Sequence, residues 1–129
     1  MGQSTRTSGL AERVTPRTKV WLESDGRYVF GLGICEILKA VQATGSIKSA
    51  AQKIGKSYRH IWDRVKETEQ ALGAPLVRTQ VGGKDVRRSE ITPLAQDLVV
   101  EFEALRARLF ALVHEEFPPR LRALLNRYS

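Results

Sequence analysis

The sequence predicts a mainly α fold with a small amount of β: a winged helix-turn-helix with an N-terminal β-hairpin and a C-terminal dimerisation helix. Three observations predict it. Residues 45–72, GSIKSAAQKIGKSYRHIWDRVKETEQAL, hold two capped apolar stripes of helical period separated by a glycine. Two short β-prone runs follow, joined by Gly82-Gly83-Lys84-Asp85. Positive charge gathers on the same stretch: residues 46–92 hold ten Lys and Arg against five Asp and Glu. The counts are six against four over residues 1–45 and five against five over 93–129. Most of the formal net charge of +7 therefore sits on one module.

The elements follow in order. Residues 1–17 are polar, end near Pro16, and are expected to be a mobile tail whose only basic residues are Arg6, Arg13 and Arg17. From Lys19 to Phe30 an Asp25-Gly26 pair stands between runs rich in Val, Trp, Tyr and Phe, which signals a hairpin. That hairpin carries no convergent polar cluster and is read as structural cover. Ile34, Ile37, Leu38 and Val41 recur at i, i+3, i+4 and i+7, so a helix runs to about Thr44 and stops at Gly45. Cys35 lies within it and reads as a small buried hydrophobe.

Ser46 can cap a short helix whose Ala50, Ala51 and Ile54 face inward, and Gly55 can supply the left-handed residue that ends it. Ser57 can then cap a second helix with Ile61, Val65 and Leu72 on its buried side. The paired alanines let the first helix lie close across the second. The turn Ser57-Tyr58-Arg59-His60 then projects outward, as a major-groove reader requires. An ordinary helical hairpin would use the same caps and spacing, and a solvated basic surface would show the same charge. Both features on one segment favour a polyanionic partner.

After Gly73-Ala74-Pro75, the runs Leu76–Val81 and Val86–Ile91 form the expected wing, with Lys84, Arg87 and Arg88 at or near its tip. A sheet edge can be protected by any charge, whereas a DNA-facing wing needs positive ones. Thr92-Pro93 is a cap followed by proline at the first helical position. The helix beyond carries Leu98, Phe102, Leu105, Leu109 and Leu112 at alternating steps of four and three, which is a coiled-coil-like seam expected to join two copies. An amphipathic helix packed on its own domain would look similar. Glu115-Glu116-Phe117-Pro118-Pro119 is expected to end this helix. The predicted divisions are thus a tail at 1–17, a winged helix-turn-helix at 18–92, a dimerisation helix at 93–117 and a C-terminal tail at 118–129.

Several residue patterns resemble a known family: Gly45-Ser46-Ile47, Ala50-Ala51, Ser57-Tyr58 with Trp62, Leu72-Gly73 with Pro75-Leu76-Val77, Gly82-Gly83-Lys84 and Ile91-Thr92. From about Gly31 to Leu112 the chain resembles the N-terminal winged-helix domain of the molybdate-dependent ModE regulators, and more distantly the DNA-binding domain of LysR-type regulators. The Ser-Tyr-x-x-x-Trp run is the most specific part. The resemblance implies a dimeric transcription regulator, with the helix from Ser57 in the major groove and the wing on the flanking backbone. The wing is stiffer and more basic here, so individual wing contacts do not transfer. About 16 residues follow Val113, too few for the oxyanion-binding domain of that family, so molybdate sensing is not expected and no effector is implied.

The expected DNA-binding residues are Ser46, Lys48, Lys56, Ser57, Tyr58, Arg59, His60, Arg64, Lys84, Arg87 and Arg88. Arg59 is the expected base reader, since Arg engages guanine bidentately. Arg64 would reach a phosphate or a base, and Lys48 and Lys56 phosphates near the helix N-termini. Trp62 is read as a core tryptophan.

His60 and His114 lie far apart, and no nucleophile triad, phosphate loop or metal-ligand spacing is present, so neither an enzyme nor a cofactor or metal is expected. No apolar run approaches the ~20 residues of a membrane span and the first residues lack a signal-peptide hydrophobic region, so a cytoplasmic, nucleoid-associated protein without a membrane partner is expected. The partners expected are double-stranded DNA and a second copy. An architectural nucleoid protein and a protein-interaction module built on a winged helix are the alternatives.

Overall fold

The computed structural model describes residues 9–82 and 87–129. Its elements are β1 (Leu22–Ser24), β2 (Arg27–Phe30), α1 (Leu32–Thr44), α2 (Ile47–Ile54), α3 (Tyr58–Leu72), β3 (Val77–Val81), β4 (Arg87–Ile91) and α4 (Pro93–Tyr128). Residues 9–13 are also helical. The chain divides into two compact units, residues 20–103 and a second made of residues 104–129 with those preceding residue 20. Among the described residues no helix is long and apolar enough to cross a membrane.

In the first unit, β1 and β2 pair antiparallel around Asp25 and Gly26, whose φ angles of 52° and 77° are both positive. That is the two-residue turn whose twist suits a hairpin, and Asp-Gly is a pair that accepts it. Phe30 at the end of β2 is fully buried and meets Phe102 of α4 edge-on, with ring centroids 5.1 Å apart. Around this pair α1 buries Ile34, Cys35, Ile37, Leu38, Ala40 and Val41, while α2 buries Ile47, Ala50 and Ala51. Ile61 and Val65 of α3, Leu76, and Ala95 and Val99 of α4 complete the core. Each large side chain so buried contributes on the order of 1.5–3 kcal/mol relative to exposure.

Polar groups fix the joints between elements. Ser89 N–H at the middle of β4 donates to the Gly45 carbonyl at 2.8 Å, tying the wing to the end of α1. Thr92 N–H donates to the Leu76 carbonyl at 2.9 Å, its hydroxyl donates to the Pro75 carbonyl at 2.9 Å, and the same oxygen accepts from Ala95 N–H at 3.2 Å. One threonine therefore closes the base of the wing and caps α4, with Pro93 in the first helical position as expected.

Four expectations are corrected. Leu72 is not on the buried side of α3; it is 42% exposed, and Thr68 occupies the stripe instead, its hydroxyl donating to the Val29 carbonyl. Phe102 is buried in the core of its own chain and so leaves the expected seam, while Leu98 is half-buried and packs against that core. The amphipathic period identifies an apolar face but not what covers it. The helix does not stop at residues 115–119: α4 continues through Pro118 and Pro119 to Tyr128. Proline's fixed φ is itself helical, and its cost is a lost N–H donor to the fourth residue back, here the carbonyls of His114 and Glu115. The segment is largely exposed, so solvent can serve those carbonyls. Finally, the expected mobile tail includes the helical residues 9–13, in which Ala11 is buried; the rest of that expectation, for residues 1–8, lies outside the described residues.

Candidate nucleic-acid interface

The turn between α2 and α3 is built by two serines and a glycine. Ser46 accepts a hydrogen bond from Ser49 N–H at 3.0 Å and starts α2. Gly55 ends α2 at φ 70°, a conformation that favours glycine, and Lys56 N–H closes back onto the Ala51 carbonyl at 3.0 Å. Ser57 accepts from His60 N–H at 3.0 Å and starts α3. Ala50 and Ala51 are buried, so α2 lies close against its neighbours, as the slim-helix argument required.

This arrangement turns the first residues of α3 outward. With Ile61, Val65 and Thr68 facing the core, helical geometry puts Arg59 and Asp63 on the opposite crest. The Arg59 side chain is 91% exposed and Asp63 lies one turn on, with Nε and Oδ2 3.8 Å apart. A surface pair of this kind is worth at most about 1 kcal/mol, so a ligand can break it readily. Tyr58 is exposed and meets half-buried Trp62 edge-on, with centroids 6.2 Å apart. Lys66 Nζ lies 5.2 Å from the Trp62 ring centroid and 3.2 Å from Glu69 Oε1. Trp62 packs against the core cluster, as its reading as a core residue expected.

Arg64 sits between the crest and the buried stripe, on the hairpin side. Its guanidinium carbon is 5.1 Å from the Tyr28 ring centroid and its Nη1 3.4 Å from Glu67 Oε2. His60, Lys48 and Lys56 are exposed near the N-terminal ends of α2 and α3.

The wing is a two-stranded antiparallel ribbon in which Val77 pairs with Ile91, Thr79 with Ser89 and Val81 with Arg87. Arg88 is exposed on β4, and Arg87 is the strand's first residue. Lys84 lies outside the described residues. Sequence reasoning passed over Tyr28, Asp63 and Glu69. The i, i+4 spacing of Arg59 and Asp63 was readable; the Tyr28 contact depends on long-range packing, and the Glu69 bonds to Leu76 and Val77 depend on how the chain turns after α3.

Residues 33–96 match the family of bacterial regulatory helix-turn-helix proteins of the lysR type. The chain is 35% identical over 77 residues to the molybdenum-pterin-binding protein MopB of Rhodobacter capsulatus, covering 60% of this chain and 28% of that one. It is 31% identical over 98 residues to the molybdenum transport protein ModE of Herbaspirillum seropedicae, covering 72% and 36% respectively. It is 28% identical over 86 residues to the transcriptional regulator ModE of Haemophilus influenzae, covering 64% and 34%. The chain thus spans about a third of the length of these curated relatives.

Proposed function

We propose, from the match of residues 33–96 to the lysR-type regulatory helix-turn-helix family and from the geometry of α3, that the protein is a sequence-specific DNA-binding transcription regulator. The N-terminal turn of α3 enters the major groove of double-stranded DNA, and the basic wing lies on the flanking backbone. The observation that carries this reading is the capped outward turn Ser57-Tyr58-Arg59-His60 with Arg59 91% exposed at its crest. Arg59 reads a guanine edge. Ser46, Lys48, Lys56, Ser57, Tyr58, His60, Arg64, Lys84, Arg87 and Arg88 position the domain, mostly on phosphates. Regulation in place of catalysis is supported by the relatives, one of which is named a transcriptional regulator. Such a protein works on the chromosome, in the cytoplasm.

The reading includes a homodimer formed through α4. Leu105 and Leu112 are 42% and 53% exposed two turns apart on one face of α4, with Leu109 half-buried between them. A second copy can cover such a surface isologously. Binding-site selection from random duplexes with the purified protein tests the whole reading. A recovered site with two inverted halves about one helical turn apart is the expected result. Affinity should also fall steeply between low and moderate salt, because each neutralised phosphate releases counterions. Equal binding to all duplexes would instead favour an architectural role.

A further inference from the structure

The β1–β2 hairpin, read from sequence as cover, is coupled to the recognition helix at one place. We propose that the hairpin belongs to the DNA-reading surface, with Tyr28 as a positioning residue that holds Arg64 ready for a backbone phosphate. This rests on the reading of α3 as the recognition helix.

Four observations meet here. The Tyr28 ring lies 5.1 Å from the Arg64 guanidinium carbon. Glu67 Oε2, one turn on along α3, lies 3.4 Å from Arg64 Nη1. The residue after Tyr28 is bonded to α3 itself, since the buried Thr68 hydroxyl donates to the Val29 carbonyl. Gly31 leaves room for the ring: a Cβ there would stand 2.4 Å from Tyr28 Oη. The Gly31 backbone is extended, with φ −167°, so any residue could adopt it; what excludes a side chain is the tyrosine.

A free arginine samples many rotamers, and ordering one on a ligand costs entropy. A ring under the guanidinium and a carboxylate beside it restrict Arg64 before DNA arrives. The planar group also keeps N–H edges that two phosphate oxygens can share. Its place on the flank of α3, below the crest of Arg59 and Asp63, suits the backbone at the groove's edge better than a base. The hairpin would then flank one side of the reading helix and supply order where the wing supplies charge.

The test is a double-mutant cycle on DNA affinity, with folding followed by circular dichroism and urea titration. Arg64→Ala should weaken the selected site and random duplex alike, about three- to tenfold, and reduce the salt slope by about one. Tyr28→Ala should lose a comparable factor, Tyr28→Phe should keep wild-type affinity, and Gly31→Ala should fall between because it displaces the ring. The double mutant Tyr28→Ala with Arg64→Ala should bind no worse than Arg64→Ala. Additive losses, a Tyr28→Phe variant as weak as Tyr28→Ala, or a neutral Arg64→Ala in a chain whose wild type binds DNA would each overturn the inference alone. A wild type that binds no duplex overturns the proposed function and this inference with it.

Discussion

Leu76 N–H donates to Glu69 Oε2 at 2.7 Å, joining the last turn of α3 to the start of the wing. The same oxygen accepts from Val77 N–H at 3.2 Å, and the Glu69 side chain is only 11% exposed. One carboxylate thus satisfies two backbone donors where the chain turns from helix into strand. Such charge-assisted bonds are among the stronger ones, and removing the acceptor leaves part-buried N–H groups without their partner.

Glu69→Ala is therefore expected to destabilise the domain by roughly 1–3 kcal/mol. Glu69→Gln, which keeps an acceptor oxygen but not the charge, should cost less. Urea unfolding checks both, and equal midpoints for wild type and Glu69→Ala would show that the junction does not depend on this side chain.

The local features were legible in the sequence. Ser46, Ser57 and Thr92 cap helices as expected because a cap depends on a residue and the N–H three positions on. The Asp25-Gly26 turn was legible for the same reason. Phe102 was not, since the heptad-like spacing is identical whether the apolar face meets Phe30 of its own chain or a second copy. Thr68 replaced Leu72 in the buried stripe because its hydroxyl finds the Val29 carbonyl, a partner that periodicity cannot supply. Tyr28 and Arg64 meet only once the hairpin has docked on α3, so their contact had no local signal.

Asp63 on the crest of α3 brings a negative charge to the surface that would approach DNA. It repels phosphate and holds Arg59 from one side. Asp63→Asn should raise affinity for random duplexes severalfold at low salt while raising affinity for the selected site less, so the ratio between them falls. Parallel titrations of the two duplexes measure that ratio. An unchanged ratio would make Asp63 a general electrostatic brake without a part in reading sequence.

Reading and positioning separate in two further variants. Arg59→Ala should cost about 1–3 kcal/mol at the selected site and relax preference at one base pair per half-site. Lys84→Ala should weaken all duplexes by about the same factor, as the loss of a phosphate contact does. Selection repeated with each variant distinguishes them. If Arg59→Ala lowers affinity for selected and random DNA equally, the guanine-reading assignment is wrong.

The fate of Phe102 sharpens the test of the dimer. Its ring is 2% exposed against Phe30, so Phe102→Ala opens a cavity in the core and should cost about 3–5 kcal/mol of stability whatever the oligomeric state. Leu105 is 42% exposed and Leu109 is half-buried, both beyond the segment of α4 that completes the core. If α4 meets its counterpart in a second copy, charged residues at Leu105 and Leu109 place unpaired charge in that interface and should yield a monomer with the helix-turn-helix still folded. The monomer keeps weak binding to a single half-site but loses the gain from engaging two sites on one duplex. Sedimentation of the double variant beside its circular dichroism, together with titrations on single and paired half-sites, measures each part. A wild type that sediments as a monomer at concentrations saturating a paired site would remove the dimer from the proposed function. A dimer that survives both charges would instead place the contact elsewhere in the chain, away from the Leu105–Leu109 face.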